Sequence, residues 1–190
     1  MQKRVKKIIF SKPLVGLFLM FALSAQAADG FLEWLLSLDS MNGVNPALNE
    51  TYREECGSCH FAYQPGLLPA RSWEKLLTPE ALAKHFGENA ELDEANLNSI
   101  RDYVLNQAAD HSDYKLSKKV MAATRDGATP LRITELRFIA RIHHGIPTEK
   151  IQGNPKVRSL SQCNACHTKA EQGIYLEDTV HIPEAVGIKP

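Results

Sequence analysis

Cys56-Gly57-Ser58-Cys59-His60 and Cys163-Asn164-Ala165-Cys166-His167 use every cysteine of this 190-residue chain, and the rest is read outward from them. Two thiols at this spacing can add to the two vinyl groups on one edge of a porphyrin, while the next residue's imidazole turns beneath the ring to the iron. Each pentapeptide therefore reads as the attachment site of one c-type haem, giving two covalently bound haem c groups. Cys56 and Cys59 hold one, Cys163 and Cys166 the other, and His60 and His167 are the accompanying axial ligands. Zinc could use both cysteine pairs. It would not call for a histidine directly after each pair, and no further cysteine lies between the motifs.

Such maturation takes place outside the cytoplasm, and the N-terminus reads as an export signal. Lys3, Arg4, Lys6 and Lys7 form a basic start, Leu14 to Leu23 an apolar stretch, and Ala25-Gln26-Ala27 a small-residue cleavage site, so cleavage is expected before Ala28. Lys12 and Pro13 leave the apolar stretch shorter than the roughly 20 residues that span a bilayer. No later segment is apolar enough to cross one. The expectation is a signal peptide over 1–27 and a periplasmic mature protein.

The zero net charge of the whole chain conceals an asymmetry. The signal segment holds five of the 22 basic residues and none of the 22 acidic ones, so the mature chain carries 17 bases and 22 acids. Residues 28–110 hold 5 bases and 14 acids, and residues 111–190 hold 12 and 8. Oppositely charged halves suit a carrier that docks with one partner to receive electrons and with another to pass them on. Nothing in this pattern points to nucleic acid.

Each half has some 80 residues, near the size at which a protein core alone is marginal. A buried macrocycle supplies the missing apolar surface. The pattern is mainly α, with Pro- and Gly-rich connections and no alternating strand run. Phe31, Trp34, Leu35 and Leu38 fall at helical spacing. Tyr52 to His60 is the expected helix presenting the first haem. Pro65-Gly66-Leu67-Leu68-Pro69 is expected to be non-helical and to wrap the haem edge, with one of its carbonyls holding the free ring nitrogen of His60. The polar stretch around Asp110-His111-Ser112-Asp113 marks the boundary between a 28–110 domain and a 111–190 domain.

Helical phase nominates the second axial ligands. Thr78-Pro79-Glu80 starts a helix that Gly87 stops, and within it Leu82, His85 and Phe86 share one apolar face. In Thr134 to His144 the residues Leu136, Ile139, Ala140 and His143 share an apolar stripe, whereas Arg137, Arg141 and His144 share a basic one. His85 and His143 are thus the candidates. His144 and His181 are rivals for the second iron, His111 reads as exposed, and Met41 and Met121 read as packing residues. Arg71, Trp73 and Arg132 are considered as propionate partners and read as surface or core residues instead.

Beyond the pentapeptides, the chain resembles the bacterial dihaem cytochrome c family. The likeness is carried by Glu55 to Pro69, Ser72-Trp73, His85-Phe86-Gly87, Thr129 to Glu135, Gly153 to Val157, Ala170-Glu171, Gly173 and Val180-His181-Ile182-Pro183. It implies low-potential electron-transfer haems with two histidines on each iron: His60 and His85 on the first, His167 and His143 on the second. It also implies two small haem-binding domains, the first like class I cytochromes c with Asn98 to Ala108 as its closing helix, the second a different helical arrangement. Membrane quinol-oxidising b-type cytochromes and small soluble c-type haem proteins are the partners it implies. The chain departs from the family in having His144-Gly145 before Ile146-Pro147, and the segment before Tyr52 lies outside the likeness.

An iron with both axial positions filled by protein leaves no room for substrate, and imidazole in place of methionine lowers the potential. The expectation is an electron carrier, not an enzyme. A dihaem peroxidase, a haem subunit of a larger oxidoreductase and a gas sensor are the rival readings. The peroxidase and the sensor require an exchangeable axial ligand.

Overall fold

The computed structural model describes residues 41–184. The segment expected as a signal peptide and the Phe31–Leu38 helix lie outside the described residues. The described residues all fall in one compact unit. Among the described residues the fold is mainly α, with no strand and only two isolated bridges, His85 with Glu88 and His167 with Val180.

Among the described residues seven α-helices follow one another, with a 3-10 turn in four of the six connections and two more after the last helix: α1 Glu50–Gly57, α2 Ala70–Leu76, α3 Pro79–Leu82, α4 Glu94–Asn106, α5 Lys115–Ala123, α6 Arg137–His143 and α7 Cys163–Cys166. Their starts follow local chemistry. Asn49 caps α1 by accepting from the Tyr52 amide at 2.8 Å, and Asp93 caps α4 by accepting from the Asn96 amide at 2.9 Å. Such caps contribute about 1 kcal/mol each.

Several boundaries differ from the periodicity. The first motif is not helical throughout: α1 ends at Gly57, and Ser58 to His60 leave it in a turn. Pro65–Leu67 is a 3-10 turn, which a proline at its first position permits. The helix begun by Thr78 and Pro79 runs only to Leu82. His85 therefore turns inward through a tight reversal, in which Phe86 at φ 55° and Gly87 at φ 108° both take left-handed backbone. In the second half Ile133–Glu135 is a 3-10 turn, and Leu136 at ψ 125° separates it from α6. Ala140, expected on the apolar stripe, is exposed.

The core gathers Val44, Tyr52, Leu68, Trp73, Ile100, Val104 and Val120 around the packed helices α2, α4 and α5. The chain around Asp110 is part of this packing: Ala108 and Ala109 are buried, the Ala109 amide donates to the Leu68 carbonyl at 2.9 Å, and the Asp110 carboxylate accepts from the Ala70 amide at 2.8 Å. Two close backbone approaches tie distant segments together. A Cβ on Gly66 would sit 2.6 Å from Ser117 Oγ on α5, and a Cβ on Gly43 would sit 1.9 Å from the Gly173 carbonyl oxygen. Only glycine allows these approaches.

Candidate functional site

The eight site residues read from the sequence fall into two clusters. In the first, α1 and the following turn carry Cys56, Cys59 and His60, and the reversal after α3 brings His85 opposite. The imidazoles of His60 and His85 stack with ring centres 6.3 Å apart and planes 20° apart. In the second, α7 carries Cys163 and Cys166 with His167 just after it, and α6 brings in His143. These two rings lie 6.1 Å apart at 68°.

That spacing is the test of whether the residues fit an iron between them. Metal–nitrogen bonds of about 2 Å on either side, plus roughly 1 Å from each nitrogen to its ring centre, place two opposed imidazoles about 6 Å apart. Both pairs meet it. The other ring pairs among the described residues lie 4.8 to 5.8 Å apart. A cleft of about 460 Å³ opens beside His143, lined also by Ile146, Ile151 and Leu160. This is within the range of cofactor sites.

Hydrogen bonds fix the ring nitrogens. His60 Nδ1 lies 2.7 Å from the carbonyl oxygen of Phe61, and His143 Nδ1 lies 2.8 Å from that of Ile139. Each contact makes Nδ1 the protonated nitrogen and leaves the Nε2 lone pair available to a metal. The His60 acceptor differs from the expected one. The Pro65 carbonyl accepts instead from the Trp73 indole at 2.8 Å, because the Pro65–Leu67 turn packs over buried Trp73. The Nδ1 of His167 is buried with no partner among the described residues.

Charge-state preferences agree. Desolvation first, then His60 and Arg132, lowers the pKa of His85; desolvation and then His143 lowers that of His167. Both imidazoles are thereby held neutral, as metal coordination requires. Burial pushes the Cys56 and Cys163 thiols up to about 12. Those sulfurs sit in apolar surroundings, suited to thioethers and unsuited to thiolate ligation of zinc. Among the described residues no group of three or more His, Cys, Asp or Glu converges in metal-holding geometry.

The rivals are placed elsewhere. His144 is exposed and turned back to the Arg141 carbonyl at 2.6 Å, and Arg137 and Arg141 are exposed beside it. His181 has an exposed side chain, although its amide donates to the Cys166 carbonyl at 2.7 Å and so braces the second motif. His111 is exposed, with Nδ1 against the Leu105 carbonyl. Met121 packs against the core. Arg71 donates to the Ala128 carbonyl at 2.5 Å, and Arg132 lies 3.8 Å over the Phe86 ring.

The sequence reasoning did not single out three residues between the clusters. Tyr63 lies 5.0 Å from the His60 ring, Tyr175 lies 5.1 Å from the His167 ring, and Gln64 is fully buried between the two halves. Gln64 carries no periodic signal that would have marked it. Only its contacts do.

The chain matches the family described as dihaem cytochrome c over residues 52–175. A diheme cytochrome type c from Shewanella baltica OS155 is 41% identical, with 71% of this chain and 93% of that one covered at a TM-score of 0.56. A diheme cytochrome c from Rhodobacter sphaeroides is 39% identical, with 70% and 100% covered at 0.60. No curated protein matches. The chain belongs to the dihaem cytochrome c family and carries two covalently attached c-type haems.

Proposed function

We propose that this protein is a periplasmic electron carrier of low potential in which both irons are held by two histidines, His60 and His85 on the first and His143 and His167 on the second. The observation that carries this reading is the pair of imidazole couples, each at the separation that one iron spans. Bound haem supplies a one-electron couple at its iron. The chain's own residues do the rest. Cys56, Cys59, Cys163 and Cys166 anchor the macrocycles through thioethers. The Phe61 and Ile139 carbonyls orient His60 and His143 and increase their basicity, which favours the ferric state. With four histidines on two irons, neither metal offers a position to substrate, so the reading is a carrier and not an enzyme.

Export rests on the signal segment ahead of Ala28, and among the described residues no helix is long and apolar enough to cross a membrane. The partners proposed are those the family resemblance suggests, a membrane quinol-oxidising b-type cytochrome and small soluble c-type haem proteins. The exposed basic face of Arg137, Arg141 and His144 supports docking by an acidic surface.

Optical spectra of the purified protein test the ligation. Low-spin bands in both oxidation states, unchanged under carbon monoxide and without the near-infrared band of methionine-ligated ferric haem, are expected. Carbon monoxide binding or a high-spin component would overturn it. The ring angles add a sharper expectation. Near-parallel imidazoles at the first iron split the two metal orbitals that accept their π donation, whereas rings at 68° leave them nearly degenerate. Electron paramagnetic resonance should show two different low-spin ferric signals, the more anisotropic from the second haem.

A further inference from the structure

We propose that Tyr63 and Tyr175 form a reciprocal bridge that couples the two haems electronically. The proposal rests on the ligation reading above and deepens it, by naming how an electron crosses between the sites.

Each tyrosine sits beside the motif histidine of its own half and bonds into the other half. Tyr63 lies 5.0 Å from the His60 ring and donates through its hydroxyl to the Ser161 carbonyl at 2.8 Å, two residues before Cys163. Tyr175 lies 5.1 Å from the His167 ring and donates to Gln64 Oε1 at 2.6 Å. Gln64 is the chain neighbour of Tyr63, and its Nε2 donates to the Ala170 carbonyl at 2.5 Å. The Ala170 amide in turn donates to the His167 carbonyl at 2.9 Å. Tyr52 steadies the same strap by donating to the Tyr63 carbonyl at 2.5 Å.

A buried glutamine with its carbonyl and its amide nitrogen both engaged by the opposite half is a costly way to fill space, since apolar side chains would pack there without desolvating an amide. What it secures is a continuous set of bonds and hydrogen bonds from one histidine to the other. Electronic coupling falls steeply across gaps and gently along bonds, so each tyrosine hydroxyl that closes a gap between the halves adds a route between the two sites. Bound haem would supply the one-electron couple at each site, so that the electron given up at one would be taken up at the other. No proton moves, no bond breaks, and neither tyrosine is oxidised. They act as positioning residues through the histidines they touch.

The test compares intramolecular electron exchange in half-reduced, full-length holoprotein, read from the exchange broadening of haem methyl resonances in nuclear magnetic resonance. Tyr63→Phe and Tyr175→Phe keep each ring beside its histidine and remove only the hydroxyl. Each is expected to slow exchange several-fold, and the double variant more, while the low-spin optical bands stay in place. Rates are compared at the potentials measured for each variant, so that a change in driving force is separated from a change in coupling. Tyr103→Phe is the control, because that hydroxyl only accepts from the Leu48 amide at 3.2 Å, away from both histidine pairs, and its exchange should match the wild type. Unaltered exchange in the double variant, or equal slowing by Tyr103→Phe, would overturn the bridge. If Tyr175→Phe fails to take up the second haem, Tyr63→Phe alone decides. Carbon monoxide binding by the unaltered protein would instead overturn the ligation reading and leave the exchange comparison standing.

Discussion

The two histidine pairs have nearly the same separation, but their scaffolds differ. Around His60 and His85 the chain buries Tyr52, Phe61, Leu67, Leu68, Trp73, Leu76, Leu77 and Leu82, with Ile100 and Val104 behind them. Neither α6 nor α7, which position His143 and His167, contains a buried residue. There the backbone runs largely through turns, and the buried apolar residues are few: Ile133, Leu136, Val157 and Ala170. The contrast teaches that the same separation between imidazoles can be set by a protein core or by short braces. In the second case the macrocycle must supply much of the apolar burial that a helix face would otherwise provide.

Removing the second attachment site probes this contrast most strongly. Cys163→Ser with Cys166→Ser should abolish the second haem and raise amide hydrogen exchange throughout 137–181, while the α4 amides around Ile100 and Val104 keep their protection. The converse pair, Cys56→Ser with Cys59→Ser, should leave residual protection in α4, because its buried face also packs on α2. Equal loss of protection in both halves after either change would erase the distinction. Next in size, His85→Ala and His143→Ala should each open one iron and produce carbon monoxide binding at that haem only, seen as partial conversion of the reduced optical spectrum. A spectrum unmoved by His143→Ala would show that α6 does not supply the second axial ligand.

Smaller effects refine how the halves are joined. Gln64→Leu strands the Tyr175 hydroxyl and leaves the Ala170 carbonyl with the Gly173 amide as its remaining donor, and should destabilise the holoprotein by about 1–3 kcal/mol in chemical denaturation. A midpoint equal to the wild type would mean that water satisfies both groups. The smallest expectation concerns the opposite charges of the two halves. Electron-transfer rates with a soluble haem protein should fall as ionic strength rises, since exposed charges are screened within about 10 Å at 0.1 M salt. Salt-independent rates would remove docking electrostatics from the account.

Much of the candidate site was legible because its chemistry is local. The Cys-x-x-Cys-His spacing is a property of five consecutive residues, and the half-buried position of His143 follows from its register with Ile139 along α6. The caps at Asn49 and Asp93 obey rules that need only a few neighbouring residues. His85 faces His60 for a reason other than helical phase. Its helix stops at Leu82, and the side chain is aimed by the Phe86–Gly87 reversal, whose left-handed backbone no periodicity of apolar residues encodes. The Phe61 carbonyl as the partner of His60 was likewise hidden, because the choice among nearby carbonyls depends on which of them Trp73 already occupies.

By itself, then, the sequence determined that two haems are attached and that the scaffold is helical, and it named the cysteines and histidines that are candidates to hold them. These follow from spacing and periodicity, which act over a few residues. Only the tertiary structure decided that the imidazoles pair at 6.3 and 6.1 Å, one pair stacked and the other edge-on, and that Tyr63, Gln64 and Tyr175 knit the two sites together. The histidine pairs join residues 25 and 24 positions apart and the bridging contacts residues 98 to 111 apart, and their geometry is set by how the packed turns and helices exclude water around them, which no local pattern specifies.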